Sequence, residues 1–167
     1  WDFSQTVDID DVKEILDRQI TCNMAIANEG IHNSYGANIG HVILNMDSDC
    51  VKTRAKAYAA AGSDARMNGC ELPVVINSGS GNQGITCCVP VVVYAKELDC
   101  TQEQLYRALV LSNLTAIYIK TGIGTLSAFC GAVSAGAAAG AGIAYLHNGT
   151  YKEIQHTIVN TLAILSG

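Results

Sequence analysis

The chain is poor in charge and in aromatic side chains. Asp, Glu, Lys and Arg make up 15% of its 167 residues, and Phe, Trp and Tyr only 6%, whereas charged residues are ~25% of a typical soluble domain. The net charge is −5, and Lys and Arg form no cluster. This argues against sequence-independent binding of nucleic acid, which needs a basic face. Part of so uncharged a surface is expected to be buried against further chain or another subunit, as in a homo-oligomer.

Metal-binding spacings of cysteine are also absent. The seven cysteines are odd in number and include no C-x-x-C pair, which argues against both a secreted disulfide framework and a zinc ribbon. Most are predicted to be small buried hydrophobic side chains, and the reducing cytoplasm is the expected location. The cysteines are Cys22, Cys50, Cys70, Cys87, Cys88, Cys100 and Cys130.

A charge-free stretch is present, but it lacks the character of a membrane span. Residues 121–151 contain no Asp, Glu, Lys or Arg, and residues 122–146 are long enough to cross a bilayer. They are mostly glycine and alanine, however, and no aromatic belt or basic cluster flanks them. We predict a central Gly/Ala-rich helix buried on all sides, and no membrane partner. The Gly136/Gly140 spacing permits close helix contact, so an assembly module that uses this helix as an interface is one alternative.

The remaining patterns predict an all-α fold in a single domain over residues 1–167. Helical periodicity is found in residues 8–29, with an end at Gly30, and helix-forming residues dominate 49–67. Residues 84–98 are predicted to be a helix, and capping boxes begin two more, Thr101 with Gln104 and Thr150 with Glu153. At most one short extended segment is expected, near residues 73–76. Because the chain starts with Trp1 and stops within a helical pattern, we expect a fragment of a larger protein.

Residues 77–84 form the most informative segment. Glycines at three positions allow the backbone to bend sharply and to approach other groups closely. Hydroxyl and amide side chains lie between them, and a helix starting near Gly84 would point free N–H groups at this loop. The pattern predicts a loop that binds a carboxylate or phosphate; the alternative is a tight connection that is glycine-rich for steric reasons only. The candidate binding residues are Asn77, Ser78, Gly79, Ser80, Gly81, Asn82 and Gln83.

A nicotinamide site is a poorer explanation of the same glycines. Their spacing matches G-x-G-x-x-G, but that fingerprint needs a crossover helix and a second strand after the loop. The next β-rich run begins at Val89, five residues past Gly84. No helix fits in that interval.

Three segments together resemble the bacterial L-cysteine desulfidase family, which is related to the alpha (catalytic) part of iron–sulfur L-serine dehydratases. In chain order they are AAGSDARMNG at 60–69, INSGSGNQGI at 76–85 and LSAFCG at 126–131. The resemblance extends from about Gly30 to the end of the chain. It implies a lyase that removes ammonia and a β-substituent from a small L-amino acid and leaves pyruvate.

The resemblance also implies a cofactor and site residues. The family uses a four-iron four-sulfur (4Fe-4S) cluster on three cysteines, with an open iron as Lewis acid, and Cys130 matches the first ligand. The other two ligands would follow Gly167. The intact protein is therefore expected to carry the cluster, whereas residues 1–167 alone are expected to carry no cluster and to have no lyase activity. The loop at 77–84 would hold the substrate carboxylate. A non-catalytic domain that binds a small anion or amino acid remains the alternative function.

Other polar residues are weaker candidates. Lys120 is a candidate base, or a contact of the substrate carboxylate, in an amino-acid lyase. Asp64 and Arg66 either shape the site or form a solvated or mutually paired helix end. His32 and His41 are interpreted as loop or helix-edge residues without a metal.

Overall fold

The computed structural model describes residues 1–46, 49–124 and 131–166, and these ranges form an all-α bundle without a strand. The all-α prediction is therefore confirmed. The only β-type pairing in the described residues is an isolated bridge between Asn77 and Ser80, and residues 71–76 before it are irregular. The helices are α1 (Asp2–Thr6), α2 (Ile9–His32), α3 (Ile39–Met46), α4 (Val51–Met67), α5 (Gly81–Glu97), α6 (Gln102–Ile123), α7 (Gly131–Leu146) and α8 (Tyr151–Ser166).

Helix α5 lies at the centre of the bundle, in contact with α2, α4, α6 and α7. Its Ile85, Val89 and Val91 are fully buried, as expected of a helix that is apolar on most of its surface. The Gly/Ala-rich helix α7 packs against α5, α6 and α8. It is not buried on all sides, however, because Val133 is 38% exposed.

Helix ends show where local rules held and where packing overrode them. The capping box at Thr101 is formed in both directions, and the Thr150 N–H donates to the Glu153 carboxylate. The predicted end of α2 at Gly30 is wrong, because α2 continues to His32. A Cβ on Gly30 would lie 2.2 Å from the Ala61 carbonyl oxygen, so this glycine serves close packing of α2 on α4 and not helix termination.

The direction of each neighbouring helix relative to α5 follows from two contacts between the two helices. In α7, Gly131 lies against Gln83 and Gly142 against Val91, so α5 and α7 run parallel. Helix α4 is antiparallel to α5, since its Gly62 meets Ile85 and the later Arg66 meets Gly81.

Helix α6 is also antiparallel to α5. Its Ser112 donates to the Cys87 carbonyl oxygen, whereas the earlier Ala108 lies with Gly142 and Val91 nearer the other end. The N-termini of α5 and α7 and the C-termini of α4 and α6 therefore meet at one end of the bundle. No helix in the described ranges has both the length and the apolar character that crossing a membrane requires.

Candidate active site at one end of the bundle

The predicted loop is a tight turn that runs directly into α5. The Asn77 and Ser80 backbones exchange two hydrogen bonds of 3.1 and 3.2 Å, and the residues between them, Ser78 and Gly79, have φ of 50° and 85°. Positive φ at both central positions is the signature of a type I′ turn. A left-handed conformation costs a non-glycine residue such as Ser78 about 1–2 kcal/mol. The surrounding contacts must therefore hold this turn in place.

Asn23 of α2 attaches the segment before the turn to the core. Its side-chain amide accepts from the Val75 N–H at 2.8 Å and donates to the carbonyl oxygens of Val75 and Gly84 at 3.1 and 3.0 Å. Asn23 is 0% exposed. A Cβ on Gly84 would lie 2.0 Å from the Val75 oxygen, so only glycine permits this close approach.

A second amide network holds the turn itself. Asn77 donates to the Asn113 side-chain oxygen at 2.9 Å, and Asn113 and Gln19 exchange hydrogen bonds of 2.8 and 2.9 Å. Ser78 Oγ donates to the Asn77 side-chain oxygen at 2.7 Å. Because buried polar groups are costly unless paired, this network fixes the turn relative to both α2 and α6.

The N-terminus of α5 lacks a side-chain cap. Ser80 is the N-cap residue, but its hydroxyl makes no capping hydrogen bond. The Gly84 N–H donates to the Ser80 oxygen, which leaves the N–H groups of Gly81, Asn82 and Gln83 without an acceptor in the part of the chain that the structure describes. Helix ends buried without partners are unusual, and Gly81 and Gln83 are both buried. Such an end is suited to an anionic ligand.

Positive charge is concentrated at this end of the bundle. Arg66, in the last turn of α4, donates to the Asn82 side-chain oxygen at 3.1 Å, and its Nε would lie 2.2 Å from a Cβ on Gly81. Lys120 is in the last turn of α6. The N-terminus of α5 carries the equivalent of about +0.5 charge, and Arg66 and Lys120 offset the negative ends of the α4 and α6 dipoles, in whose last turns they lie. The combination favours a carboxylate or phosphate.

A cleft of about 680 Å³ joins the predicted loop to Lys120. Its lining consists of Ser78, Gly79, Ile117, Lys120, Thr121 and Gly124. Two sequence-predicted candidates that are 40 residues apart, the turn and Lys120, thus share one cavity. This placement is what a lysine that acts on a bound substrate requires.

A neighbouring groove of about 280 Å³ between α1, α2 and α6 is a poorer candidate, although Ser78 and Ile117 line it too. Its walls are mainly aliphatic, and its amide side chains at Gln19, Asn77 and Asn113 are bonded to one another. The groove offers no charged group to a polar substrate.

Gln83 has a special position between α5 and α7. It is 7% exposed, and its Oε1 has no hydrogen-bond partner in the described residues. A Cβ on Gly131 would lie 2.2 to 2.5 Å from the amide atoms of Gln83. Any side chain at Gly131 would therefore clash with the Gln83 amide in its present position.

The remaining predicted residues have other roles or lie elsewhere. The Asp64 carboxylate accepts from the Ile39 N–H at 2.8 Å and so caps α3, not the cleft. His32 Nδ1 donates to the backbone carbonyl oxygen of Asn28 in the last turn of α2. His41 Nε2 is buried and has no partner in the described residues. Cys130, the predicted metal ligand, lies outside the described residues.

Known proteins with similar sequences identify the chain's family. The sequence profile described as Serine dehydratase alpha chain matches residues 2–167. The chain belongs to the serine dehydratase alpha chain family. Membership in this family relates the chain to lyases of amino-acid catabolism. No solved structure matches the chain.

Curated relatives of this serine dehydratase alpha chain family member are longer than the chain. A UPF0597 protein of Desulfitobacterium hafniense is 63% identical over 166 residues, which cover 99% of this chain and 39% of that protein. UPF0597 proteins of Lachnoclostridium phytofermentans and Finegoldia magna are 60% and 52% identical, over 99% and 100% of this chain and 40% of each relative. The chain thus spans about two fifths of the length of these relatives.

The cysteines that the structure describes do not fit a cluster. Burial raises the pKa of the Cys87 thiol to about 12 and that of Cys88 well above its usual value, so both remain protonated at neutral pH, whereas iron–sulfur ligands are thiolates. No group of three or more His, Cys, Asp or Glu side chains converges in the described ranges. The described residues therefore supply no set of side chains that could hold an iron–sulfur cluster by themselves.

Proposed function

We propose that the protein containing this chain is a serine dehydratase-type lyase that converts L-cysteine or L-serine to pyruvate in the cytoplasm. The observation that carries the proposal is the uncapped N-terminus of α5, which lies at the same end of the bundle as Arg66 and beside a turn that shares its cleft with Lys120. Membership in the serine dehydratase alpha chain family supports the reaction class.

In this proposal the substrate carboxylate binds at the start of α5. The N–H groups of Gly81, Asn82 and Gln83 donate to its oxygens, and the helix dipole and Arg66 neutralise its charge. Charge-assisted hydrogen bonds of this kind are about twice as strong as neutral ones. Ser78 and Gly79, which directly precede the N-cap of α5, line the cleft together with Lys120, and in this proposal Cα and the side chain of the substrate extend past the turn toward Lys120.

Lys120 then serves as the general base. Its Nζ accepts the Cα proton, and the electron pair forms the Cα–Cβ double bond as the Cβ–S or Cβ–O bond breaks. The β-substituent leaves and is protonated to hydrogen sulfide or water. The 2-aminoacrylate that remains tautomerises to an imine, water adds, and ammonia and pyruvate are released. Proton transfer by a positioned side chain contributes about 10²–10⁴-fold to such a rate.

Pyruvate release by the full-length protein tests this function. We expect pyruvate from L-serine, or pyruvate and sulfide in equal amounts from L-cysteine, under strictly anaerobic conditions. The D-enantiomers are the control. Saturable binding of both L-amino acids without any pyruvate would instead support a non-catalytic domain that binds amino acids.

We further propose that the full-length protein carries a 4Fe-4S cluster with Cys130 as one ligand and the other ligands outside residues 1–167. Residues 1–167 expressed alone should then contain well under one iron per chain when prepared anaerobically. Iron analysis and the visible absorption spectrum measure this, with circular dichroism to show that the chain is folded. A stoichiometric cluster on residues 1–167 would contradict the ligand assignment but not the anion site.

A further inference from the structure

The amide oxygen of Gln83 is a buried hydrogen-bond acceptor without a donor. Gln83 occupies the third position of α5, so its backbone N–H belongs to the anion site, while its side chain is 7% exposed and Oε1 has no partner in the described residues. Buried acceptors are nearly always satisfied in folded proteins. An unsatisfied one beside a candidate ligand site indicates a donor that arrives with the ligand.

The charges around the site show which kind of donor is missing. An α-amino acid carries a carboxylate and an ammonium group, and the site offers the carboxylate the uncapped N-terminus of α5 and Arg66. The ammonium group needs an oxygen acceptor in the same small volume. Asn77 Oδ1 already accepts from Ser78, and Asn82 Oδ1 already accepts from Arg66.

Gln83 Oε1 is the amide oxygen of the 77–83 segment that the described residues leave free. Its amide is also held in place, because α7 approaches it so closely that Gly131 has no room for a Cβ. A positioned acceptor loses little conformational freedom when a ligand binds. The side chain is therefore suited to selecting a ligand, and not only to filling space.

We propose that Gln83 Oε1 accepts a hydrogen bond from the α-ammonium group of the substrate and so selects α-amino acids over acids that lack the amine. This inference rests on the proposed function, since it takes the carboxylate to be bound at the start of α5. A site that provides a buried partner for a substrate N–H rejects analogues without it, because its own polar group is then left unpaired.

Binding of L-serine and 3-hydroxypropanoate to the full-length protein tests the inference. The two ligands share the carboxylate and the hydroxyl group and differ only in the amine. Calorimetric titration in the Lys120→Met background, in which L-serine is expected to bind almost without turnover, should show at least about tenfold tighter binding of L-serine when residue 83 is the wild-type glutamine, the discrimination expected of one buried charge-assisted hydrogen bond. In Gln83→Leu the preference should disappear, with binding of 3-hydroxypropanoate changed by less than about threefold, because the backbone N–H groups are retained.

Two further variants control for side effects. Gln83→Met keeps a similar volume with a flexible side chain and should show the same loss of preference. Gln155→Leu makes the same exchange at an exposed position of α8 and should leave both affinities unchanged. Circular dichroism checks that each variant is folded.

The outcomes separate the inference from the proposed function. If the wild type binds both ligands equally, or if Gln83→Leu weakens both equally, the assignment of Gln83 is overturned while the anion site stands. If the wild type binds neither ligand, the proposed function fails and the inference fails with it. Equal binding of the two ligands by the wild type overturns the inference by itself, so the inference can be refuted even if both Gln83 variants fail to fold.

Discussion

Replacing Asn23 with alanine should destabilise the protein by about 3–5 kcal/mol, the range for breaking a buried polar network. The substitution removes three hydrogen bonds and leaves the N–H and carbonyl of Val75 without their partner, whereas the Gly84 carbonyl keeps the Cys87 thiol as a donor. Because Asn23 is completely buried, water cannot replace the lost amide without entering the core. Each unsatisfied group costs about 1–3 kcal/mol, and the total is expected to fall below the sum because the loop can relax.

Urea unfolding followed by circular dichroism measures this effect. Asn28→Ala is the matched control, since Asn28 is in the same helix but its side chain is exposed, and it should change the stability by less than about 0.5 kcal/mol. Asn23→Ala should also weaken L-serine binding, because Val75 leads directly into the turn. A loss of stability no larger than that of the control would show that Asn23 does not hold the loop.

The sequence contains enough local signal to predict the helices but not their arrangement around α5. Periodicity and capping boxes depend on neighbouring residues, and α6 and α8 begin where the capping boxes place them. The predicted start of α5 near Gly84 is wrong, because the helix begins at Gly81 and includes Asn82 and Gln83. The predicted helix end at Gly30 is wrong because a glycine that ends a helix and a glycine at a helix crossing cannot be distinguished in sequence. Only the Ala61 backbone, 31 residues away, distinguishes the two.

The candidate site was predictable only in part, for the same reason. The segment 77–83 is contiguous, so its glycines and amides could be recognised directly, and Lys120 was a candidate because an amino-acid lyase needs a base or a carboxylate contact. Asn23 and Asn113 were missed because their partners are 52 and 36 residues away in sequence. A signal did exist: Gln19, Asn23 and Ala27 follow a four-residue spacing along one buried face of α2, and amides on such a face require partners.

Parallel α5 and α7 were beyond sequence analysis altogether. Nothing in the order of residues shows that Gly131 lies against Gln83, yet this contact brings two helix N-termini to one end of the bundle. The electrostatic case for a carboxylate depends on the uncapped start of α5 and the nearby Arg66 more than on the glycine motif. A glycine-rich turn alone would equally suit a purely steric connection.

Replacing Lys120 with methionine in the full-length protein should lower kcat for pyruvate formation by about 10²–10⁴-fold, the contribution of a positioned general base. Methionine retains the length of the side chain and removes only the amine. KM should change little, because the carboxylate is bound by the start of α5 and Arg66, which Lys120 does not contact in the described structure. The pattern of lowered kcat with unchanged KM is that of a group acting in the transition state.

The matched control for Lys120→Met is Lys52→Met, which makes the same exchange at an exposed position in α4. It should leave kcat and KM within about twofold of the wild-type values, as expected of an exposed surface residue. A raised KM with unchanged kcat in Lys120→Met would instead make Lys120 a carboxylate contact, the other role that the sequence left open. Ser78 and Gly79 share the cleft with Lys120, which is the observation that makes Lys120 the candidate base. Loss of kcat in Lys120→Met would support that assignment, and activity within about threefold of the wild type would contradict it.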